Sequence, residues 1–250
     1  MDNFKAKSVH ESIEYLSYML DTNKKVFYSR FGDGCLCAMV LQRGARHAAS
    51  PELAAEMKES FLIEDELFIK AASVGYPFEK GMAPGMFIEG SVGGGSYSDG
   101  LKGKALKVTS ERSFYNPIVF HYLSVFDPAT LKFFINNYIK PKKKMFIGSN
   151  SKKSMETLYG KIDFYIQTPE KEAYYSIDEW WPKVVKDVDK CEVVLPSAGA
   201  ASRIMSKRLW EHGSEIHCID IGSLNDAISG NASRTWIMIV GVNKIIGNLI

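Results

Sequence analysis

Long apolar runs, a surplus of one charge and a cysteine framework are all missing from this sequence of 250 residues. The longest apolar stretches, such as Trp236 to Val240, fall far short of the ~20 residues that cross a bilayer, so no integral membrane segment is expected. The opening Met-Asp-Asn-Phe-Lys runs into a charged amphipathic stretch, without the basic region and apolar core of a signal peptide, and this points to the cytosol. With 31 Lys and Arg against 29 Asp and Glu the net charge is +2, too balanced for disorder and no signal for nucleic acid as a partner. Four cysteines, Cys35, Cys37, Cys191 and Cys218, are too few and too irregular for disulfides, and a lone Cys-x-Cys is no zinc knuckle. Cys191 and Cys218 lie in apolar, strand-like runs and read as small buried hydrophobes. None of the five histidines shows metal-binding spacing, and no G-x-G-x-x-G supports a dinucleotide cofactor.

What is present is a globular composition, 46% hydrophobic and 24% charged, at a length that buries one substantial core; the reading is one domain over residues 1–250. Ser8 and Glu11 form an S-x-x-E capping box before Val9, Ile13, Leu16 and Leu20, which recur at helical spacing. Lys25 to Phe31 reads as a strand broken by Gly32-Asp33-Gly34, with Cys35 to Leu41 helical after it. Ser50-Pro51 opens a helix to about Phe61, and Leu67 to Val74 is a candidate strand. Gly75 to Gly103 is too glycine-rich for a sheet and reads as a loop, either an ordinary surface loop or a lid beside the site. Asp127-Pro128 opens a helix to about Ile139. Four short apolar strands then follow, at Lys144 to Gly148, Ile162 to Gln167, Cys191 to Leu195 and Glu215 to Ile221. Helical stretches at 151–159, 177–187 and 200–212 separate them, the second carrying a capping box at Ser176 and Glu179. Lys140 to Lys144 reads as a solvated basic turn. Trp180-Trp181 reads either as core and rim or as a sugar-stacking pair.

Strands alternating with helices imply a Rossmann-like α/β fold, a mostly parallel sheet with helices on both faces. Ligands in such sheets bind beyond the carboxyl ends of the strands. Four segments are thereby selected: Arg30 to Cys35, Gly148 to Asn150, Pro196 to Ala200 and Asp220 to Ser223.

In Arg30-Phe31-Gly32-Asp33-Gly34 the glycines let backbone approach a ligand. Arg30 could pair with a diphosphate and Asp33 could hold a bridging divalent cation; a helix-capping Asp33 and a surface ion pair for Arg30 are the ordinary alternative. Ser197-Ala198-Gly199-Ala200 leaves a strand through small residues into a helix whose free amides favour phosphate or ribose, or else merely packs helix on strand. Asp220, beside Gly222, could bond a ribose, hold metal, act as a base or cap a turn. Asp226, Arg234 and Trp236 are weaker candidates.

Arg30-Phe-Gly-Asp-Gly34, Thr168-Pro-Glu-Lys-Glu-Ala173, Leu195-Pro-Ser-Ala-Gly-Ala200 and Ile219-Asp-Ile-Gly222, in this order along most of the chain, resemble the glycosyltransferases of the GT-D fold. The resemblance implies a hexosyl- or pentosyltransferase. Its donor would be a nucleoside-diphosphate sugar, commonly a UDP-sugar, and its acceptor a glycan or protein-glycan hydroxyl. It also implies Mn2+ or Mg2+ at an Asp-x-Glu motif, with Asp33 matching the aspartate. Cys35 stands where that motif has its glutamate, and a thiol is a poor ligand for a hard cation.

Three readings follow for the metal: Asp33 holds it with Asp220 or water, Arg30 and other basic groups neutralise the diphosphate alone, or the protein binds nucleotide without transfer. On the resemblance Asp33, Asp220 and Asp226 are the catalytic candidates, and Arg30, Phe31, Gly32, Gly34, Ser197, Gly199, Ala200 and Gly222 line the nucleotide. A transferase using S-adenosylmethionine is the alternative enzyme class, although Arg30 and Asp33 suit a diphosphate better. The sequence leaves a homo-oligomer open.

Overall fold

The computed structural model describes residues 4–41, 48–74 and 99–250, with only backbone for 99–102. The strands are β1 (Lys5–Ala6), β2 (Val26–Phe31), β3 (Phe68–Ala72), β4 (Ser113–Phe114), β5 (Lys144–Gly148), β6 (Phe164–Gln167), β7 (Val193–Ser197) and β8 (His217–Ile219). The helices run α1 (Val9–Thr22), α2 (Asp33–Ala38), α3 (Pro51–Phe61), α4 (Asp99–Leu106), α5 (Val119–Phe126), α6 (Pro128–Phe134), α7 (Lys152–Tyr159) and α8 (Ile177–Asp187). They continue with α9 (Ala201–His212), α10 (Leu224–Ile228), α11 (Thr235–Val240) and α12 (Val242–Leu249).

Six strands form one sheet in the order β3-β2-β8-β7-β5-β6, and every pairing in it is parallel. Parallel strands need covering on both faces, and side chains alternate accordingly. From β2, Tyr28 joins one core with α1, α5, α10 and α12, while Phe27 and Phe31 join the other with α2, α3, α8 and α9. This is the α/β architecture the sequence implies. β1 and β4 form a separate parallel pair, and Tyr115, just past β4, bridges to Ala71 at the edge of β3.

Local chemistry explains most element boundaries. Ser8 accepts from the Glu11 amide while the Glu11 carboxylate takes the Ser8 amide, 2.8 Å, so the first capping box forms as read. Asp127 accepts from the Thr130 amide and Pro128 sets the first turn of α6, which runs on as a π turn over Ile135–Ile139. The second capping box does not form. A 3-10 turn at Ala173–Ser176 runs straight into α8, and the Ser176 hydroxyl donates back to Ala173 O (3.3 Å).

Other departures concern burial and extent. Lys144 is no solvated turn residue: it is 2% exposed, with Nζ on the carbonyls of Lys140 and Lys161 at 3.1 and 3.0 Å. Of the expected loop at Gly75 to Gly103, residues 99–103 belong to α4, and the rest lies outside the described residues. All four cysteines are buried thiols. Trp180 is core, with Nε1 donating to Ala173 O (3.2 Å), and Trp181 packs at the rim.

Candidate functional site

The carboxyl ends of β2, β8, β7 and β5 lie side by side, so the turns at Gly32, Asp220, Ser197 and Ser149 open along one edge of the sheet. On β2, Tyr28 and Arg30 point to the same face and bond successive carbonyls of the segment before α5. Tyr28 OH donates to Asn116 O and Arg30 Nε to Pro117 O, each at 2.5 Å. Arg30 is thus fixed, 5% exposed, with its guanidinium lying against Gly222. Gly222 has φ +71, and a Cβ there would fall 1.4 Å from Arg30 Nη1 and 3.0 Å from His121 Nε2. Only glycine admits both the backbone angle and the arginine.

Arg203, in the first turn of α9, ties three strand ends together. Its Nε donates to Arg30 O on β2, its Nη1 to Gly199 O after β7 (2.7 Å), and its Nη2 lies 2.9 Å from Asp220 Oδ2 after β8. Asp220 also faces Arg30 Nη1 at 3.8 Å, and all three side chains are buried. The planar guanidinium fork suits this three-way role, which a lysine could not reproduce.

Behind this group His121 stacks on Trp236, with ring centroids 4.8 Å apart. Ser223 Oγ meets His121 Nε2 at 3.3 Å and accepts from Trp236 Nε1 at 3.0 Å. Burial, and then the charges of Arg30 and Arg234, hold the His121 imidazole well below its ordinary range, so it is neutral at pH 7.

The β7–β5 half is more open. Gly148 lets β5 and β7 approach closely, since a Cβ on it would meet Ser197 Cβ and O at 2.9 Å. Ser197 Oγ donates to Asn150 Oδ1 (3.0 Å), Asn150 Nδ2 donates to Asp226 Oδ1 (3.2 Å), and Ser233 Oγ donates to Asp226 Oδ2. Tyr165 OH holds the Asn150 carbonyl at 2.8 Å. Gly199 is exposed at φ +59 with nothing within 4 Å of a Cβ position. The amides of Gly199, Ala200 and Ala201 have no acceptor among the described residues, and they stand at the positive end of the α9 dipole. Such an end receives anions.

Asp33 is the first residue of α2, 7% exposed, with Gly32 as the N-cap; Gly34 and Cys35 follow in the same turn. Ser73, buried and lacking a hydroxyl partner among the described residues, lies beside Gly32. Phe31 points away from this edge into the α3 core, against Phe61. Thr168, at the start of the Thr168-Pro segment, is buried after β6, where its amide bonds Gly148 O (3.1 Å).

A resident Mn2+ or Mg2+ finds a poor donor set. Among the described residues no three His, Cys, Asp or Glu side chains converge as a metal-binding group. Asp220 is ion-paired with two arginines, Asp226 is hydrogen-bonded by Asn150 and Ser233, and Cys35 offers a buried thiol. A cavity of about 390 Å³ lies elsewhere, against the start of β3. Its Lys70 is paired with Glu111 at 2.8 Å, and it is remote from the strand ends where this sheet class places chemistry.

No protein-family model matches the sequence, and no curated protein matches it. Solved structures do match. A glycosyltransferase (DUF1792) from Streptococcus sanguinis superposes with a TM-score of 0.66 at 17% identity, over 88% of this chain and 82% of that one. The fold is that of the DUF1792 proteins. A second DUF1792 structure, with selenomethionine, gives 0.64 at 14% identity over 89% and 79% of the two chains. A third, described as having a distinct glycosyltransferase fold, gives 0.62 at 15% over the same shares. The expected GT-D-like fold is therefore present.

Within this DUF1792-type fold the site brings Arg30, Gly222 and Asp220 into one buried group and Ser197 and Asp226 into one polar network. Arg203, His121 and Asn150 had no role in the sequence reading. Asn150 falls inside a strand-end segment and Arg203 lies three residues past the Ala200 turn, so both were within reach; His121 sits in α5, a stretch to which the sequence analysis assigns no element.

Proposed function

We propose that this chain is a glycosyltransferase that moves a sugar from a nucleoside-diphosphate donor, a UDP-sugar first among them, to an acceptor hydroxyl on a glycan. The open α9 turn carries this reading: three consecutive acceptor-free amides beside the exposed Gly199 make a receptacle for the diphosphate. The solved neighbours described as glycosyltransferases give the same direction. The diphosphate lies on the Gly199–Ala201 amides with Ser197 at its side, and the Gly32–Gly34 turn closes the opposite wall. As the glycosidic bond breaks, charge builds on the leaving phosphate oxygen, and these fixed donors stabilise it.

Asp226 is the base that accepts the proton of the acceptor hydroxyl. It is half-buried and oriented by two neutral donors, so its carboxylate keeps lone pairs for a third. Asp220, enclosed by two guanidinium groups, positions the wall instead of moving a proton. Calorimetry with UDP, GDP and dTDP, followed by donor turnover with the nucleotide that binds, tests the reading. Asp226→Asn is expected to lower turnover by about 100-fold or more, in the range of a lost general base, with nucleotide affinity kept. Binding of none of the three nucleotides sinks the proposal.

A further inference from the structure

We infer that this site neutralises the donor diphosphate with fixed protein charge and without a resident divalent cation. The inference rests on the sugar-transfer reading and adds how the leaving group's charge is met. A hard cation takes oxygen ligands, usually one or two carboxylates together with phosphate oxygens and water. Among the described residues, the two acids at the neighbouring β8 turn that could join Asp33 around such an ion are already committed. Asp220 lies 2.9 Å from Arg203 Nη2 and 3.8 Å from Arg30 Nη1, so a cation at its oxygens would displace one guanidinium and sit beside another. Asp226 has Asn150 on one oxygen and Ser233 on the other. Cys35, two residues past Asp33 in the first turn of α2, supplies a buried thiol, a soft ligand ill-suited to Mn2+ or Mg2+.

Positive charge is nevertheless abundant at this edge. Two guanidinium groups face the single carboxylate of Asp220, and Arg234 adds its charge around His121. The N-terminal amides of α9 point to the same edge. Fixed dipoles and guanidinium groups can stabilise charge on a leaving phosphate without any metal.

The experiment is calorimetric titration of UDP, GDP and dTDP into the intact chain, each in EDTA and in MnCl2, with Mn2+ alone as a separate titration. The expected result is that one nucleotide binds in EDTA with a Kd within about tenfold of its Mn2+ value, a difference under about 1.4 kcal/mol. Mn2+ alone is expected to give no saturable heat. Tightening of more than about tenfold by Mn2+, abolished in Asp33→Ala, overturns the inference and leaves the sugar-transfer reading standing. Saturable binding of Mn2+ by the nucleotide-free protein overturns it too. No binding of any nucleotide in either buffer overturns the sugar-transfer reading, and this inference with it.

Discussion

Asp220 and Asp226 are six residues apart in the chain and belong to opposite kinds of surroundings. Asp220 is 2% exposed and held by Arg30 and Arg203; Asp226 is half-buried and takes hydrogen bonds from the neutral Asn150 and Ser233. The difference divides the crevice. The β2–β8 half is a buried wall of fixed charge, two guanidinium groups around one carboxylate, and the β7–β5 half is a polar shelf with spare hydrogen-bonding capacity. A buried ion pair is costly to break because the partner left behind stays desolvated, whereas a neutral hydrogen bond near solvent is replaced by water. Mutations in the first half should therefore act on folding, and mutations in the second on ligand and turnover.

The largest effect that can break this division is expected at Arg203. Arg203→Met removes three anchors and leaves Asp220 buried beside Arg30 alone, and it should cost about 3–5 kcal/mol of stability, the range for a buried pair that loses one member. Urea denaturation measures it. A loss below about 1 kcal/mol would place Arg203 among exposed pairs and dissolve the distinction between the two halves.

The two glycine turns compare the halves at a smaller scale, because both have positive φ but only one is crowded. Gly222→Ala has to move the Arg30 guanidinium as well as adopt φ +71, and should cost about 3 kcal/mol, overpacking added to left-handed strain. Gly199→Ala meets nothing within 4 Å and should cost only about 1–2 kcal/mol from its φ of +59. On the proposed function Gly199→Ala should nonetheless be the one that weakens UDP binding, since its methyl stands where the diphosphate lies. Equal stability losses, or UDP binding spared in Gly199→Ala, would contradict the placement of ligand on the shelf.

The sheet was legible because its signals are local. Alternating apolar runs, the Ser8 cap and Pro51 and Pro128 at helix starts each report on a few neighbouring residues; β2, β3, β5, β6 and β8 fall within the runs expected, and β7 starts inside its run, Cys191 to Leu195, and extends past it to Ser197. The rule that ligands gather at strand carboxyl ends then selected four turns that the parallel sheet sets side by side along one edge. Partnerships were not legible, because Arg203 reaches Arg30 across 173 positions of chain, and no local pattern encodes that contact. α5 escaped for a different reason: Val119–Phe126 is apolar almost all round, as a helix buried on every side must be, and so lacks the stripe that marks an amphipathic helix. Ser176 shows the converse, a capping motif overridden by the 3-10 turn that precedes it.

The smallest effect sharpens the comparison through pH. His121 is kept neutral in the dry wall by burial and by Arg30 and Arg234, and His217, buried at the start of β8, is pulled down to about 4 mainly by burial. An imidazole in the unfolded chain titrates near 6.5, so below that pH the unfolded state binds protons that the folded state refuses. Stability is then fully present above about pH 6.5 and falls with decreasing pH, by up to about 1.4 kcal/mol per pH unit for each histidine. For His217 the loss stops near pH 4, where the folded protein also takes the proton. For His121, held down first by burial and then by the charges of Arg30 and Arg234, stability likewise falls as the pH drops below 6.5. Urea unfolding at pH 7.5, 6.0 and 5.0 should show this slope in the native protein, with each of His121→Phe and His217→Asn flattening it by one histidine's share. If His121→Phe left the slope unchanged, the imidazole would have to be protonated already or open to water. The wall around Asp220 would then be wet, and the contrast with the shelf would fail on its own terms.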